Sequence, residues 1–402
     1  MSGKSDKKKP LVPSLRFPEF REAGAWEVKR LGELSEIVRG GSPRPITDYI
    51  TTDSEGLNWL KIGDVHQNEK YVTSTEEKVK KSAISKTREV YPGDLIMSNS
   101  MSFGRPYILK IKTCIHDGWI AVTDINNEVE RDYLYYFILS SSSQFYFRNA
   151  AAGGGVKNLN ADIVKLLSVS LPHYLEQQKI AHCLSSLDEV IGLQAKKVQA
   201  LKQHKKGLMQ QLFPAEGETT PRLRFPEFRE AGAWDKQRIG DLLSLEYGAP
   251  LPEGSRLEGD IPVIGSNGVV GYHSEPLIKG PAIVIGRKGS AGQVSWIDSP
   301  CYPIDTTFFV DLSRKDCQLR FIYLLLEHHR LQELVREGGV PGLNRDDVYA
   351  VKATISKHTE QQKIAHCLSS LDEVIGLESH KLDALKNLKK GLMQQLFPQE
   401  VA

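Results

Sequence analysis

The chain has 402 residues, of which 40% are hydrophobic and 25% charged, with a formal net charge of +2. This is ordinary globular material with room for about two to four domains. No apolar run approaches the roughly 18 residues that a membrane-spanning helix needs, and the near-neutral charge excludes a chain that grips nucleic acid by bulk charge alone. The five cysteines, Cys114, Cys183, Cys301, Cys317 and Cys367, include no CxxC pair, which points to a reducing cytoplasm and no metal site.

In chain order, residues 1–24 read as a flexible basic tail followed by a lead-in motif. MSGKSDKKKP lacks the apolar region of a signal peptide. Residues 25–172 form a first insert of alternating strand-like runs and turns. Strands are predicted at 57–65 (LNWLKIGDV), within 91–98 (YPGDLIMS) and at 119–122, a buried helix at 133–147, a glycine loop at 153–158 and a last strand at 164–171. Residues 173–214 read as a long helix, and 215–221 (AEGETTP) as a linker. Residues 222–357 form a second insert with the same element order. Its strands are predicted at 261–264, 282–285 and 307–310, its helix at 319–335, its glycine loop at 338–344 and its final strand at 348–355. Residues 358–398 read as a second long helix, which Thr359 and Gln362 would start as a capping box. Pro214 and Pro398 end both helices after the shared KKGLMQQLFP.

Two repeats bind this order together. EQQKIAHCLSSLDEVIGL occurs at 176–193 and again at 360–377, and LRFPEFREAGAW at 15–26 recurs at 223–234. The helix offset is 184 residues and the lead-in offset 208, so the second insert is 24 residues shorter. A near-constant frame thus encloses two dissimilar contents, as in a scaffold that presents two different readers.

In the first long helix apolar residues fall at Ile180, Leu184, Leu187, Ile191, Val198, Leu201, Leu208 and Leu212, with Gln194 and Lys205 as polar interruptions. The second copy gives Ile364, Leu368, Leu371, Ile375, Leu382, Leu385, Leu392 and Leu396, interrupted at Glu378 and Lys389. A seam with mean spacing of about 3.5 wants a partner helix. Each helix is expected to run for about 37 residues, or about 55 Å. The matching seams predict that the two helices pair with each other, antiparallel, as the helix–helix interface. A homodimerising coiled coil is the alternative.

No catalytic constellation is visible. There is no GxxxxGK[ST] phosphate loop, since GRKGSAG at 286–292 lacks its spacing, and no Asn-Pro-Pro-Tyr or GxGxxG motif. His182 and His366 are matched helix-face residues, and Asp64, Asp94 and Asp117 lack the Glu-x-Lys of a nuclease set. The polar loops are better candidates for DNA binding. They carry Ser42, Arg44, Lys61, Asn99, Ser100, Ser102, Arg105, Gly154, Lys157 and Asn158 in the first insert. The second carries Ser266, Asn267, Tyr272, Arg287, Lys288, Ser290, Gln293, Asn344 and Arg345. Arg suits guanine, Asn and Gln suit adenine, and hydroxyls and glycine amides suit phosphate.

These motifs together resemble the specificity subunit of a type I restriction-modification enzyme over nearly the whole chain. The resemblance rests on LP…EQQKIA at 171–181, the IGL-containing helix and its second copy, WLKIGDV, PGDLIMS and the GLN–D–V stretch at 343–348. It implies an α+β chain with two target recognition domains, each reading half of a split sequence in double-stranded DNA. It implies two conserved helices forming an antiparallel coiled coil that sets the spacer, in an internal pseudo-twofold repeat. It also implies a non-catalytic chain that docks two methyltransferase subunits and, in the full complex, restriction and motor subunits. Those partners are expected to use S-adenosylmethionine, ATP and Mg in the cytoplasm. The alternatives are a self-contained methyltransferase or nuclease, and a structural coiled-coil DNA-binding scaffold without restriction partners.

Overall fold

A computed structural model describes residues 11–66, 69–99, 103–150, 159–312, 317–335 and 342–398. The chain divides into two compact units, Met1–Gln194 with Lys381–Ala402, and Ala195–His380. The two long helices, Tyr174–Leu212 and His358–Leu396, have 39 residues each, about 58 Å at ~1.5 Å per residue. Each helix gives one half to each unit.

In the first unit two five-stranded sheets carry the insert. One runs in the order Ile50–Thr51, Glu77–Val79, Leu57–Leu60, Thr113–Ile115, Arg88–Val90. The other runs Glu36–Arg39, Trp119–Thr123, Leu95–Ser98, Pro106–Leu109, Tyr71–Val72. In the second unit the counterpart of the latter is Ser244–Tyr247, Thr307–Asp311, Ala282–Gly286, Val294–Ile297, with no fifth strand among the described residues. A three-stranded sheet, Gly268–His273, Ile261–Gly265, Tyr302–Pro303, completes it. Both inserts are closed by an antiparallel pair at their base: Glu27–Arg30 against Ser168–Leu171, and Asp235–Arg238 against Lys352–Ile355. The two inserts are therefore mixed α/β domains of one topology, the first with added strands.

Several boundaries differ from the sequence-based expectation. Strand 57–65 stops at Leu60, because the Asp64 carboxylate accepts the Lys61 N–H at 2.9 Å and closes a 3-10 turn at Ile62–Asp64. The helix expected at 133–147 is two helices, Arg131–Leu139 and Ser141–Ala150. Ser140 is extended between them and the Ser143 hydroxyl takes the Phe137 carbonyl at 2.8 Å, since serine side chains compete for helical carbonyls. The helix expected at 319–335 ends at His328, and Arg330 turns the chain at φ 46 into a 3-10 segment, Leu331–Leu334. The final strands are short because helices Ala161–Lys165 and Arg345–Ala350 precede them, capped by the Asn160 and Asn344 side chains. The second long helix begins at His358, one residue before the expected cap Thr359, and the Lys357 carbonyl accepts the N–H groups of Glu360 and Gln361.

Within each unit the helix halves run antiparallel. In the first, Leu184 and Leu396 share one core and Lys389 reaches Asp188 at 2.5 Å. In the second, Lys197 meets Glu378 at 2.5 Å and Lys205 meets Asp372 at 2.7 Å, so one number falls as the other rises. Ile180, Leu184, Val198, Ile364 and Leu368 are buried, while Leu187, Ile191, Leu201, Leu208, Leu371, Ile375, Leu382, Leu385 and Leu392 are half-buried. The polar interruptions Lys205, Lys389 and Glu378 carry the cross-helix ion pairs.

The lead-in motif and the helix repeat meet in a buried ion pair. Arg16 grips Glu176 with two bonds of 2.7 Å and Arg224 grips Glu360 at 2.7 and 2.8 Å. The next residue clamps the insert. The Gln177 amide donates to Glu128 O and Pro172 O and accepts the Glu130 N–H, and Gln361 does the same with Ser356 O and the Gln318 N–H. The helix ends plug the cores. Phe397 packs tilted against Tyr133 and edge-on against Phe137, and Phe213 packs edge-on against Trp234 and stacks on Phe321.

Arg224→Ala leaves a buried Glu360 carboxylate without its partner and is expected to cost about 3–5 kcal/mol. Denaturant unfolding of the full chain measures this, and a loss under about 1 kcal/mol would mean that the pair does not tie motif to helix.

Candidate nucleic-acid interface

Three neighbouring strands of the first insert bring their ends together. The loops after Glu36–Arg39 and Leu95–Ser98 meet the loop before Trp119–Thr123 at Asp117. Asp117 accepts the Ser42 hydroxyl at 2.7 Å and the exposed Arg44 guanidinium at 3.3 Å. Its backbone carbonyl accepts Arg39 Nε at 2.9 Å and the Asn99 amide at 2.8 Å. The hydrogen bond from Ser42 holds the Asp117 carboxyl below the usual range against the opposing effect of burial. His116 is pushed below its ordinary pKa by burial, and its Nδ1 accepts the Gly118 N–H at 2.7 Å, so the neutral ring keeps its proton on Nε2. Gly40 is required because a Cβ there would lie 2.1 Å from the His116 carbonyl.

The second insert repeats this arrangement with other side chains. Gly248 stands where a Cβ would meet the Ile304 carbonyl at 2.1 Å. Arg287 takes the place of Asn99 and donates to Asp305 O at 3.2 and 2.7 Å. Its guanidinium lies 5.3 Å from the Tyr247 ring and 5.9 Å from Phe308, while Arg345 lies 5.4 Å from Tyr247 and 5.9 Å from Tyr349. Tyr247 is 51% exposed, so the two cations and the ring form an outward-facing cluster able to meet bases or phosphates. Ser266 donates to Thr306 O at 2.5 Å, and Ser290 to the Asn267 side-chain oxygen at 3.4 Å.

The structure thus sorts the sequence-based candidates. Ser42 and Arg44 gather on Asp117. Arg287 and Arg345 gather on Tyr247, beside the exposed Lys288, whose backbone bridges to Gly342. Tyr272 is exposed on the strand Gly268–His273. Asn99 is corrected from a base reader to an internal strut, because it is 3% exposed and its amide is spent on a loop carbonyl. Lys61 is held by Glu77 at 2.8 Å and Glu76 at 3.8 Å, and so is not a free cation. Arg105 is half-buried over the Tyr107 ring at 5.8 Å. Gln293 serves through its carbonyl, which accepts the Gly286 N–H, and Asn344 is a helix cap. Ser100, Ser102, Gly154, Lys157 and Asn158 lie outside the described residues. Sequence reasoning missed Asp117 and Tyr247 as hubs. Their signal was a glycine-bearing loop at the end of a strand, Gly118 after Asp117 and Gly248 after Tyr247.

A profile of the type I restriction modification DNA specificity domain matches residues 24–203 and again 232–387. The chain is 21% identical over 422 aligned residues to the type I restriction enzyme MjaVIII specificity subunit of Methanocaldococcus jannaschii, covering 95% of this chain and 93% of that one. It is 23% identical to the putative MjaX specificity subunit of the same organism, with 92% of each covered. Among solved structures, the S subunit of a type I restriction-modification system from M. genitalium aligns over 97% of this chain and 100% of its own, with TM-score 0.64 and 16% identity. A chain from a study of complex assembly and conformational transition in the type I R-M system covers 98% of this chain and 100% of its own, with TM-score 0.56 and 15% identity. The duplicated profile, falling on the two inserts and the helices that follow them, shows that this chain belongs to the type I restriction-modification DNA specificity family, as a specificity subunit with two recognition domains.

Proposed function

We propose that each recognition domain reads one half of an asymmetric bipartite target in double-stranded DNA, and that the long helices set the spacer and dock two methyltransferase subunits. The observation that carries this reading is a frame repeated almost without change around unlike strand-end clusters. Ser42, Arg44 and Asp117 stand in one insert, and Tyr247, Arg287 and Arg345 in the other. Unlike side chains on equivalent loops select unlike bases. Helices of this length suit half-sites a duplex turn or more apart.

The docking surface is also duplicated. Val190 and Leu193 are exposed on the first helix, and their copies Val374 and Leu377 on the second, Leu377 at 70%. Exposed apolar residues repeated within an identical segment fit the same partner bound twice. Chemistry then belongs to the partners: methyl transfer with S-adenosylmethionine, and ATP- and Mg-dependent translocation and cleavage by restriction and motor subunits in the cytoplasm. Among the described residues no helix is long and apolar enough to cross a membrane.

Replacing residues 27–171 with another reader is expected to change one half of the target and leave the other intact, as mapped by sequencing methylated adenines in host DNA. An unchanged target would refute the division of labour. Arg287→Ala is expected to weaken binding by about 1–3 kcal/mol and relax selectivity in a single half-site, measured by competition titration. The chain alone is expected to bind DNA weakly and to gain strong binding when methyltransferase subunits are added. Leu193→Asp with Leu377→Asp should abolish that gain while the chain remains folded by circular dichroism.

A further inference from the structure

Each unit contains a polar joint that none of the reading loops uses. In the first, the Asp188 carboxylate accepts the Tyr136 hydroxyl at 2.7 Å on one oxygen and Lys389 of the facing helix at 2.5 Å on the other. Beside it Lys70 binds Ser185 at 2.9 Å and pairs with Asp132. The Lys70 ammonium sits among the rings of Tyr71, Tyr135 and Tyr136 at 5.4, 5.1 and 4.6 Å. In the second unit, Asp372 accepts Arg320 at 2.9 Å and Lys205 of the facing helix at 2.7 Å. Arg320 also binds Ser369 at 2.9 Å and lies over Trp296 and Tyr323 at 4.5 and 4.8 Å.

The helix side of the joint is repeated sequence: Ser185 and Asp188 recur as Ser369 and Asp372, and Lys389 and Lys205 are copies too. The insert side is not. Lys70 precedes the fifth strand of its sheet, which has no counterpart among the described residues of the second unit, whereas Arg320 sits in the first turn of the helix Leu319–His328. Two dissimilar inserts therefore engage the same helix serine and aspartate from non-corresponding positions: an aromatic-caged cation takes the serine in both, Lys70 on Ser185 and Arg320 on Ser369, and the carboxylate is reached by the Tyr136 hydroxyl in one and by Arg320 itself in the other. A contact that merely added stability would not need to be rebuilt at the same helix residue. Each carboxylate joins three bodies, the insert, its own helix and the facing helix.

We propose that Asp188 and Asp372 are positioning residues that fix the angle of each recognition domain on its helix pair, and thereby the half-site spacing that the complex accepts. The proposal rests on the bipartite reading above. In the complex with methyltransferase subunits, Asp188→Ala and Asp372→Ala lower the preference for the correct spacer over spacers one base pair longer or shorter by about tenfold, with base selectivity inside each half-site retained. Tyr136→Phe removes the insert's bond to Asp188, with the contacts of the same hydroxyl to Ser185 and Lys70, and leaves Asp188 paired with Lys389, so it tests the joint even where an alanine variant fails to fold, and it shifts spacer preference in the same direction. The measurement is competitive binding to duplexes that differ only in spacer length. Equal loss on every spacer, or unchanged preference in Tyr136→Phe, overturns the proposal. Failure of the unaltered complex to distinguish spacers at all would instead overturn the bipartite reading.

Discussion

The buried pairing of an arginine with a glutamate, made twice, underlies the rest of the structure. Arg16 and Glu176, and again Arg224 and Glu360, are each less than a tenth exposed. Charges taken out of water are tolerated only when they are matched and fully bonded. The remaining guanidinium nitrogen therefore goes to a glycine carbonyl of the lead-in, Gly24 or Gly232. Neither half of such a pair can be kept alone, which is the physical reason that the lead-in and helix motifs are duplicated together although very different inserts separate them.

In the proposed function, holding and reading fall to different atoms. The frame holds with buried groups: the Arg–Glu pair, the glutamine that clips the start of the insert's helix to the insert's C-terminal end, and the Phe397 or Phe213 plug. The loops proposed to read DNA are supported by backbone, through the carbonyls of Asp117 and Asp305 and the close approaches at Gly40 and Gly248. That leaves side chains free to differ. The position after the central strand shows the consequence. Asn99 is short enough to be consumed inside the loop, whereas Arg287 satisfies the same carbonyl and still extends its guanidinium over Tyr247.

Much of the frame could be read in the sequence because it depends on periodicity. Apolar spacing of three and four marks a seam wherever the helix is long, and the matched copies named each seam's partner. The errors fell where side chains override propensity. A run of serines split the helix expected at 133–147, and Asn160 and Asn344 capped short helices where strands were expected. The candidate site was less legible. Asn99 and Arg105 look alike as loop polar residues, and only burial shows that neither stands out in solvent as Arg44 does.

The sequence by itself determined that there are two frames, two unlike inserts and two helices with complementary seams, since repetition and periodicity are properties of the chain. Tertiary structure alone decided which polar residues are spent inside the fold and which remain available, since a hydrogen bond between Asn99 and Asp117, or between Asp188 and Lys389, joins residues far apart in the chain. No local pattern carries that information, because the desolvation that gives such bonds their value exists only after the chain has closed around them.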